Sequence, residues 1–277
     1  MGDLSQINFK NYLQISLVSS IAALFSYLLL FLIGNYVVLY FAYDFDIGAW
    51  FNISGVHFSQ PPSSPLWTYD AEVTILLSKP ILSLLIAIAS LLTMLLIKNL
   101  RIASLLLILW INIFSFNACF GTIIHDFIWQ TGLINVAEKM ELSMGTMIFS
   151  MAITTFFMIR IGMVNSTIFS LFLPKKNKTK NRIRFLALIM FILVPIIISF
   201  LISFVFTSMH HRATVHLNIL SLIIIIGVFF FYKGKKIKNT EAKKLNITRF
   251  DWFLSILLLI ATFIIYYKML SPIMINP

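Results

Sequence analysis

Charged residues and cysteines are scarce in this sequence. Only 11% of the 277 residues are charged, whereas 60% are hydrophobic and 27 are phenylalanine. This composition excludes a soluble globular domain. The single cysteine, Cys119, lies inside an apolar stretch, so the chain cannot form an internal disulfide, and its redox compartment cannot be read from its cysteine content.

The sequence also lacks the short motifs that mark several enzyme classes. It has no G-x-x-x-x-G-K-[ST] or G-x-G-x-x-G phosphate loop, no H-E-x-x-H zinc motif and no G-x-S-x-G nucleophile turn. We therefore predict no catalytic residue, identify no cofactor and expect a protein that is not an enzyme.

Seven apolar runs fill most of the chain. Each is long enough to cross about 30 Å of hydrocarbon at about 1.5 Å per residue. The predicted spans are Ile15–Tyr40, Ala71–Ile97, Ile102–Ile128, Leu142–Ile159, Phe185–Phe206, Ala213–Tyr232 and Trp252–Leu270. The predicted fold is an all-α, polytopic transmembrane helical bundle in which residues 1–277 form a single integral membrane domain.

Basic residues fall almost entirely in alternate gaps between these runs. Six lie in the loop 174–184 and seven in the loop 233–249, whereas only Lys79, Lys139, Arg212 and Lys268 fall on the other side. Cytoplasmic loops carry the excess of Lys and Arg, so we expect a cytoplasmic N-terminus and an extracytoplasmic C-terminus. The net charge of +11 then indicates contact with anionic lipid head groups, and no binding of nucleic acid.

One sizeable extracytoplasmic loop is expected, at residues 44–70. It holds Trp50, Phe51, Trp67 and Tyr69 around a proline-rich turn, and its charged residues are acidic. Aromatic side chains near helix ends favour the head-group layer of the bilayer. We therefore predict a folded cap that lies on the membrane.

Polar residues recur at helical spacing within the later spans. In the third span, Asn112, Ser115, Cys119, Thr122 and Asp126 succeed one another at intervals of three and four, which predicts one narrow polar face. The next three spans carry similar stripes, formed by Ser143, Thr146, Ser150 and Thr154, by Ser199, Ser203 and Thr207, and by His211, Thr214, Asn218 and Ser221. Such stripes serve either close helix packing or a polar cavity, and both interpretations stay open for Asn112, Asn218 and Asp126.

The histidines all fall at the predicted extracytoplasmic side. They are His57, His125, His210, His211 and His216. Imidazole and carboxylate groups at one membrane level can bind a divalent metal, so His125, Asp126, His211 and His216 are the candidate ligands. The alternative is a set of interfacial histidines that anchor helix ends.

Two short stretches are similar to segments of the site-2 (intramembrane zinc) protease family. Ser78–Ala87 resembles the apolar Gly-Pro-led helix of that family, and Phe116–Gly121, with His125 and Asp126 just beyond it, resembles its Asn-containing segment that ends in an Asp ligand. The resemblance implies at most a degenerate relative that keeps a binding groove, because the zinc-binding histidines and glutamate of the family are absent.

Three functions remain as hypotheses. The first is a non-enzymatic subunit or interaction partner of a larger envelope complex, with protein partners in the bilayer. The second is a transporter of a small solute, ion or lipid through a polar cavity among helices three to six. The third is a metal-dependent intramembrane enzyme. Composition and short polar tails favour the inner membrane of a bacterium, which the chain crosses several times.

Overall fold

The computed structural model describes residues 9–61, 63–97, 100–129, 132–169, 181–206, 212–232 and 247–275. The chain is mostly helical, at 81%. The helices are α1 (Phe9–Asp44), α2 (Tyr69–Leu96), α3 (Ile102–Phe116), α4 (Thr122–Trp129), α5 (Leu133–Lys139), α6 (Met144–Phe169), α7 (Asn181–Leu188), α8 (Val194–Phe206), α9 (Arg212–Phe231) and α10 (Arg249–Met269). Two π-helical turns, Asn117–Gly121 and Ile189–Leu193, join α3 to α4 and α7 to α8 into continuous helices.

Five of these helices are long and apolar enough to cross a membrane, so the chain is a membrane protein. They are Lys10–Asp44, Tyr69–Leu96, Ile102–Trp129, Met144–Phe169 and Arg249–Met269. Two shorter apolar helical segments, Arg184–Ser199 and Leu222–Phe231, accompany them among the described residues. Each of the seven predicted apolar runs thus overlaps a helix.

A small antiparallel sheet lies at one end of the bundle, which we call the cap end. Strands β1 (Ala49–Asn52) and β2 (Gly55–Phe58) form a hairpin between α1 and α2, and β3 (Ile273–Met274) comes after α10 and pairs with β1. The side chain of Phe51 is completely buried beneath this sheet. The loop 44–70 is therefore folded, and the segment after α10 completes it.

Helix α1 is the centre of the described bundle. It packs against α2, α3, α8 and α10, and half of its most apolar window is buried inside the protein. The indole of Trp110 on α3 is fully buried next to it and donates a hydrogen bond to Ser19 Oγ, at 2.9 Å. Since lipid tails are as apolar as leucine, such packing and polar contacts hold membrane helices together more than hydrophobic burial does.

A proline in the α7–α8 helix explains why α1 carries buried serines. Pro195 has no N–H, so the carbonyls of Phe191 and Met190 lose the donor that residue 195 would supply in an α-turn or a π-turn. Ser19 Oγ donates to the Phe191 carbonyl at 2.7 Å, and Ser16 Oγ donates to the Met190 carbonyl at 2.6 Å. Two hydroxyls from a neighbouring helix thus satisfy the backbone groups that the proline exposes.

Two helix ends are capped by charged side chains from elsewhere in the chain. Asp251 is buried and closes a capping box with Thr248 at the start of α10, while its Oδ1 accepts the N–H of Ala103 at 3.0 Å. One carboxylate therefore caps the N-termini of both α10 and α3, where the helix dipoles favour negative charge. Arg184 donates to the carbonyls of Phe229 and Tyr232, at the C-terminal end of α9.

This contact changes the interpretation of one basic loop. The sequence places residues 174–184 in a loop, but α7 already begins at Asn181, and Arg184 is partly buried against α9. Residues 174–180 and 233–246 lie outside the described residues.

We expect Ser16→Ala to lower the free energy of unfolding by about 1 kcal/mol, because the Met190 carbonyl then lacks a donor within the apolar core. Reversible unfolding in mixed micelles measures the change. Ser26→Ala is the matched control, since Ser26 is also buried in α1 but donates to Ala22 of its own helix. In a Pro195→Ala background, which restores the N–H, the loss should shrink; an equal loss in both backgrounds would contradict this account.

Candidate functional site

His125 and Asp126 form a buried polar pair near the cap end of α4. His125 Nδ1 lies 2.8 Å from Asp126 Oδ1, and the two residues are 8% and 7% exposed. A carboxylate on Nδ1 fixes the ring so that Nε2 carries the lone pair. Nε2 is buried and has no hydrogen-bond partner within the described part of the chain.

The second carboxylate oxygen of Asp126 holds the next helix in place. Asp126 Oδ2 accepts the N–H of Leu133, the first residue of α5, at 2.8 Å. Gly132, which precedes it, has φ +51° and ψ −107°, a conformation that side chains strongly disfavour. A Cβ on Gly132 would lie 2.4 Å from Asp126 Oδ2. Glycine is thus required both for the backbone conformation and for the approach of the carboxylate.

Asn112, the first member of the predicted polar face, forms hydrogen bonds to two neighbouring helices. Its Nδ2 donates to the Ala87 carbonyl at 2.8 Å and to Ser90 Oγ at 3.0 Å, both on α2. Its Oδ1 accepts from Asn165 Nδ2 on α6 at 3.0 Å. Asn112 and Asn165 are fully buried. The pair therefore ties α2, α3 and α6 together and presents little capacity for a solute.

The rest of that predicted face is not continuous. The π-helical turn Asn117–Gly121 lies between Ser115 and Thr122, and a turn with one extra residue rotates the rest of the helix by roughly 100°. Ser115 Oγ is buried without a partner in the described structure, whereas Thr122 Oγ1 donates to the Ala118 carbonyl of its own helix. The structure therefore separates Asn112 from Asp126 and does not bring these residues into one seam.

The polar stripe of α6 largely points outward. Ser143, Thr146 and Ser150 are exposed, and Thr154 is buried. Ser150 and Thr154 hydroxyls each donate to a carbonyl four residues earlier in the chain. Toward the other end of α6, Gly162 lies so close to α9 that a Cβ would meet the Ile225 carbonyl oxygen at 2.8 Å.

Several predicted site residues fall beyond what the structure describes. His210, His211 and Thr207 lie outside the described residues, and His216 and Asn218 lie on α9 with side chains that are not described. Of the four candidate metal ligands, only His125 and Asp126 can therefore be located. Within the described residues, no group of three or more His, Cys, Asp and Glu side chains is placed to hold a metal ion.

Lys79 is a polar residue that the sequence alone misplaces. The charge pattern assigns it to the extracytoplasmic side, but it lies about ten residues inside α2, or about 15 Å below the start of that helix. Its Nζ donates to Asn35 Oδ1 on α1 at 3.1 Å and lies 5.4 Å from the ring centroid of Phe31. Placing a lysine at the centre of a spanning helix costs about 3 kcal/mol on insertion scales, so such a residue suggests a role.

The side chain of Lys79 can lie close to the backbone of α1 because residue 34 is a glycine. A Cβ on Gly34 would lie 3.1 Å from both Cγ and Cε of Lys79. Sequence reasoning missed Asn35, Asn165 and Lys79 as interior groups. For Asn35 and Lys79 the available signal was their position within apolar runs, whereas Asn165 lies beyond the predicted span Leu142–Ile159, because α6 continues to Phe169.

Comparison of the chain with protein-family models, with curated proteins and with solved structures gives no match. The comparisons thus add nothing to the resemblance of Ser78–Ala87 and Phe116–Gly121 to site-2 proteases.

We expect Gly132→Ala to destabilise the protein by about 2 to 3 kcal/mol, because the new Cβ is strained and displaces the Asp126 carboxylate from Leu133. Thermal unfolding in detergent measures the loss. Gly227→Ala is the control, since no atom lies within 4 Å of a Cβ built there, and alanine favours the helix. Equal melting temperatures for the two variants would show that Gly132 has no special role.

Proposed function

We propose that the protein is a non-enzymatic, multi-pass subunit or interaction partner of a larger envelope complex in a bacterial inner membrane. The observation that carries this proposal is the cap-end half of α6. From Met144 to Ile153 no residue is buried, and Phe149 is 65% exposed. An ordinary lipid-facing helix such as α10 buries one stripe, formed by Asp251, Ser255, Leu258, Thr262 and Met269.

Composition of that half-helix favours a protein neighbour over lipid alone. Gly145, Thr146, Ser150 and Ala152 are small and exposed among larger apolar residues. Small residues let helix backbones approach closely within a membrane, where packing and weak polar contacts drive association. The proposed partner is therefore another membrane helix.

The proposal includes seven crossings, with the N-terminus in the cytoplasm and the cap end outside. Two observations support it. Because β1 comes after α1 and β3 comes after α10 in one sheet, the ends of the first and last helices lie at the same end of the bundle, which requires an odd number of crossings. When Lys79 is no longer counted as extracytoplasmic, the excess of Lys and Arg on the predicted cytoplasmic side becomes larger.

A cysteine at Tyr43 should react with a membrane-impermeant maleimide in intact spheroplasts, whereas one at Phe250 should react only after permeabilisation. The two positions are 43% and 42% exposed and lie at opposite ends of the bundle, and the native Cys119 is buried. Reversed labelling would refute the proposed orientation.

The partner is tested with a photoreactive phenylalanine analogue at Phe149, in native membranes. We expect a cross-link to one protein species of defined mass, because a neighbouring helix covers this part of α6. Phe253 on α10 is the matched control, since it is also 65% exposed but lies on the unburied face of a packed helix. At Phe253 we expect lipid adducts only.

Native mass spectrometry of the gently purified particle completes this test. Partner chains in fixed stoichiometry support the assembly. A lone chain with lipid adducts at both positions would overturn the proposal.

One observation favours the transporter or metal-site alternative. The buried Nε2 of His125, aligned by Asp126, is suited to bind a metal ion or to accept a proton from a solute. Purification of a lone chain with a stoichiometric divalent ion would favour that function instead, provided that His125→Gln loses the ion and His57→Gln keeps it.

A further inference from the structure

Lys79 lies where a charged group needs a partner. Its position, about 15 Å from the start of α2, is near the middle of a hydrocarbon layer about 30 Å thick. Among the described residues, one carboxylate lies within 4 Å of a basic side chain, that of Asp126 next to His125, so Lys79 has no carboxylate partner there. The ammonium offers three N–H donors, and one is used by Asn35 Oδ1.

The position of the ammonium argues against a lipid head group at the near surface. It contacts Asn35 and Phe31, which lie nine and thirteen residues before the end of α1 at Asp44. The ammonium therefore lies beside the apolar part of α1 and not at the end of that helix. A lysine that snorkels to a head group extends toward the interface instead.

The ammonium lies between two helices that pack on α1. Phe31 packs in the cluster that joins α1 to α10 through Leu28 and Ile265. Helices α2 and α10 both pack against α1 but form no extensive contact with each other among the described residues. Lys79 itself is partly exposed, so its side chain is accessible to a neighbouring helix.

We propose that Lys79 is the docking point for a partner transmembrane helix that carries an Asp or Glu side chain at the middle of the bilayer. This inference rests on the proposed function and specifies the chemistry of the partner. A carboxylate there completes the hydrogen bonding of the ammonium and neutralises its charge, as paired ionisable groups do inside membranes.

A designed spanning peptide tests the pairing without knowledge of the native partner. The probe is a leucine-rich helix with one central Glu, labelled for energy transfer to the purified protein in phosphatidylcholine vesicles. We expect it to bind about fivefold to thirtyfold more tightly than the same peptide with central Leu. Lys79→Met should abolish this preference, and Lys79→Arg should keep it.

Lys268→Met is the matched control, because Lys268 lies in the exposed last turn of α10 and should leave the preference unchanged. If Lys79→Met fails to fold, Asn35→Leu serves in its place: it removes the acceptor next to the ammonium, so the preference for the Glu peptide should become stronger, and an unchanged preference would count against the inference. Three outcomes would each overturn the inference. They are equal binding of the Glu and Leu peptides, a preference that survives Lys79→Met, and a preference that is lost only when phosphatidylglycerol is added. The cross-link at Phe149 is independent of Lys79, so its failure is distinguishable from this one.

Discussion

The described structure depends on the requirement that every backbone polar group inside a membrane finds a partner within the protein. Pro195 violates that requirement locally, because it leaves the carbonyls of Met190 and Phe191 without their helical donors. Ser16 and Ser19 of α1 supply the missing donors, and Ser19 also accepts from Trp110. One defect in the α7–α8 helix therefore determines which face of α1 it packs against and draws α3 to the same point.

Most interior polar side chains are used in the same way, as connections between helices. Asn165 donates to Asn112 across α6 and α3, and Asp251 caps two helices. Several interior groups of the described residues retain unused capacity, among them Ser115 Oγ, Asn165 Oδ1, His125 Nε2 and the remaining donors of Lys79. Of these, His125 and Lys79 are the ionisable ones, and they are therefore the places to look for function.

The apolar runs predict the membrane-spanning helices well, since length and composition suffice to predict them. They do not predict the π-helical turns Asn117–Gly121 and Ile189–Leu193, and only the second of these turns lies close to a proline, Pro195. Spacing places Asn112 on an interior face, but its partners on α2 and α6 are not predictable, because leucine-rich surfaces carry little information about neighbours. The count of charges assigns Lys79 to the extracytoplasmic side because it does not consider how deep in the membrane a residue lies. The short helix α5 is missed because its cap, Asp126, has the pattern of a metal ligand in the sequence.

The contact between Asp251 and Ala103 has a consequence for how the protein is made. The two residues are 148 positions apart, and the strand that completes the cap sheet is close to the end of the chain. A chain that enters the membrane from its N-terminus presents the start of α3 and the edge of β1 long before their partners have been synthesised. The earlier helices therefore lack these contacts until α10 and β3 are made, and those two elements then complete both ends of the described bundle.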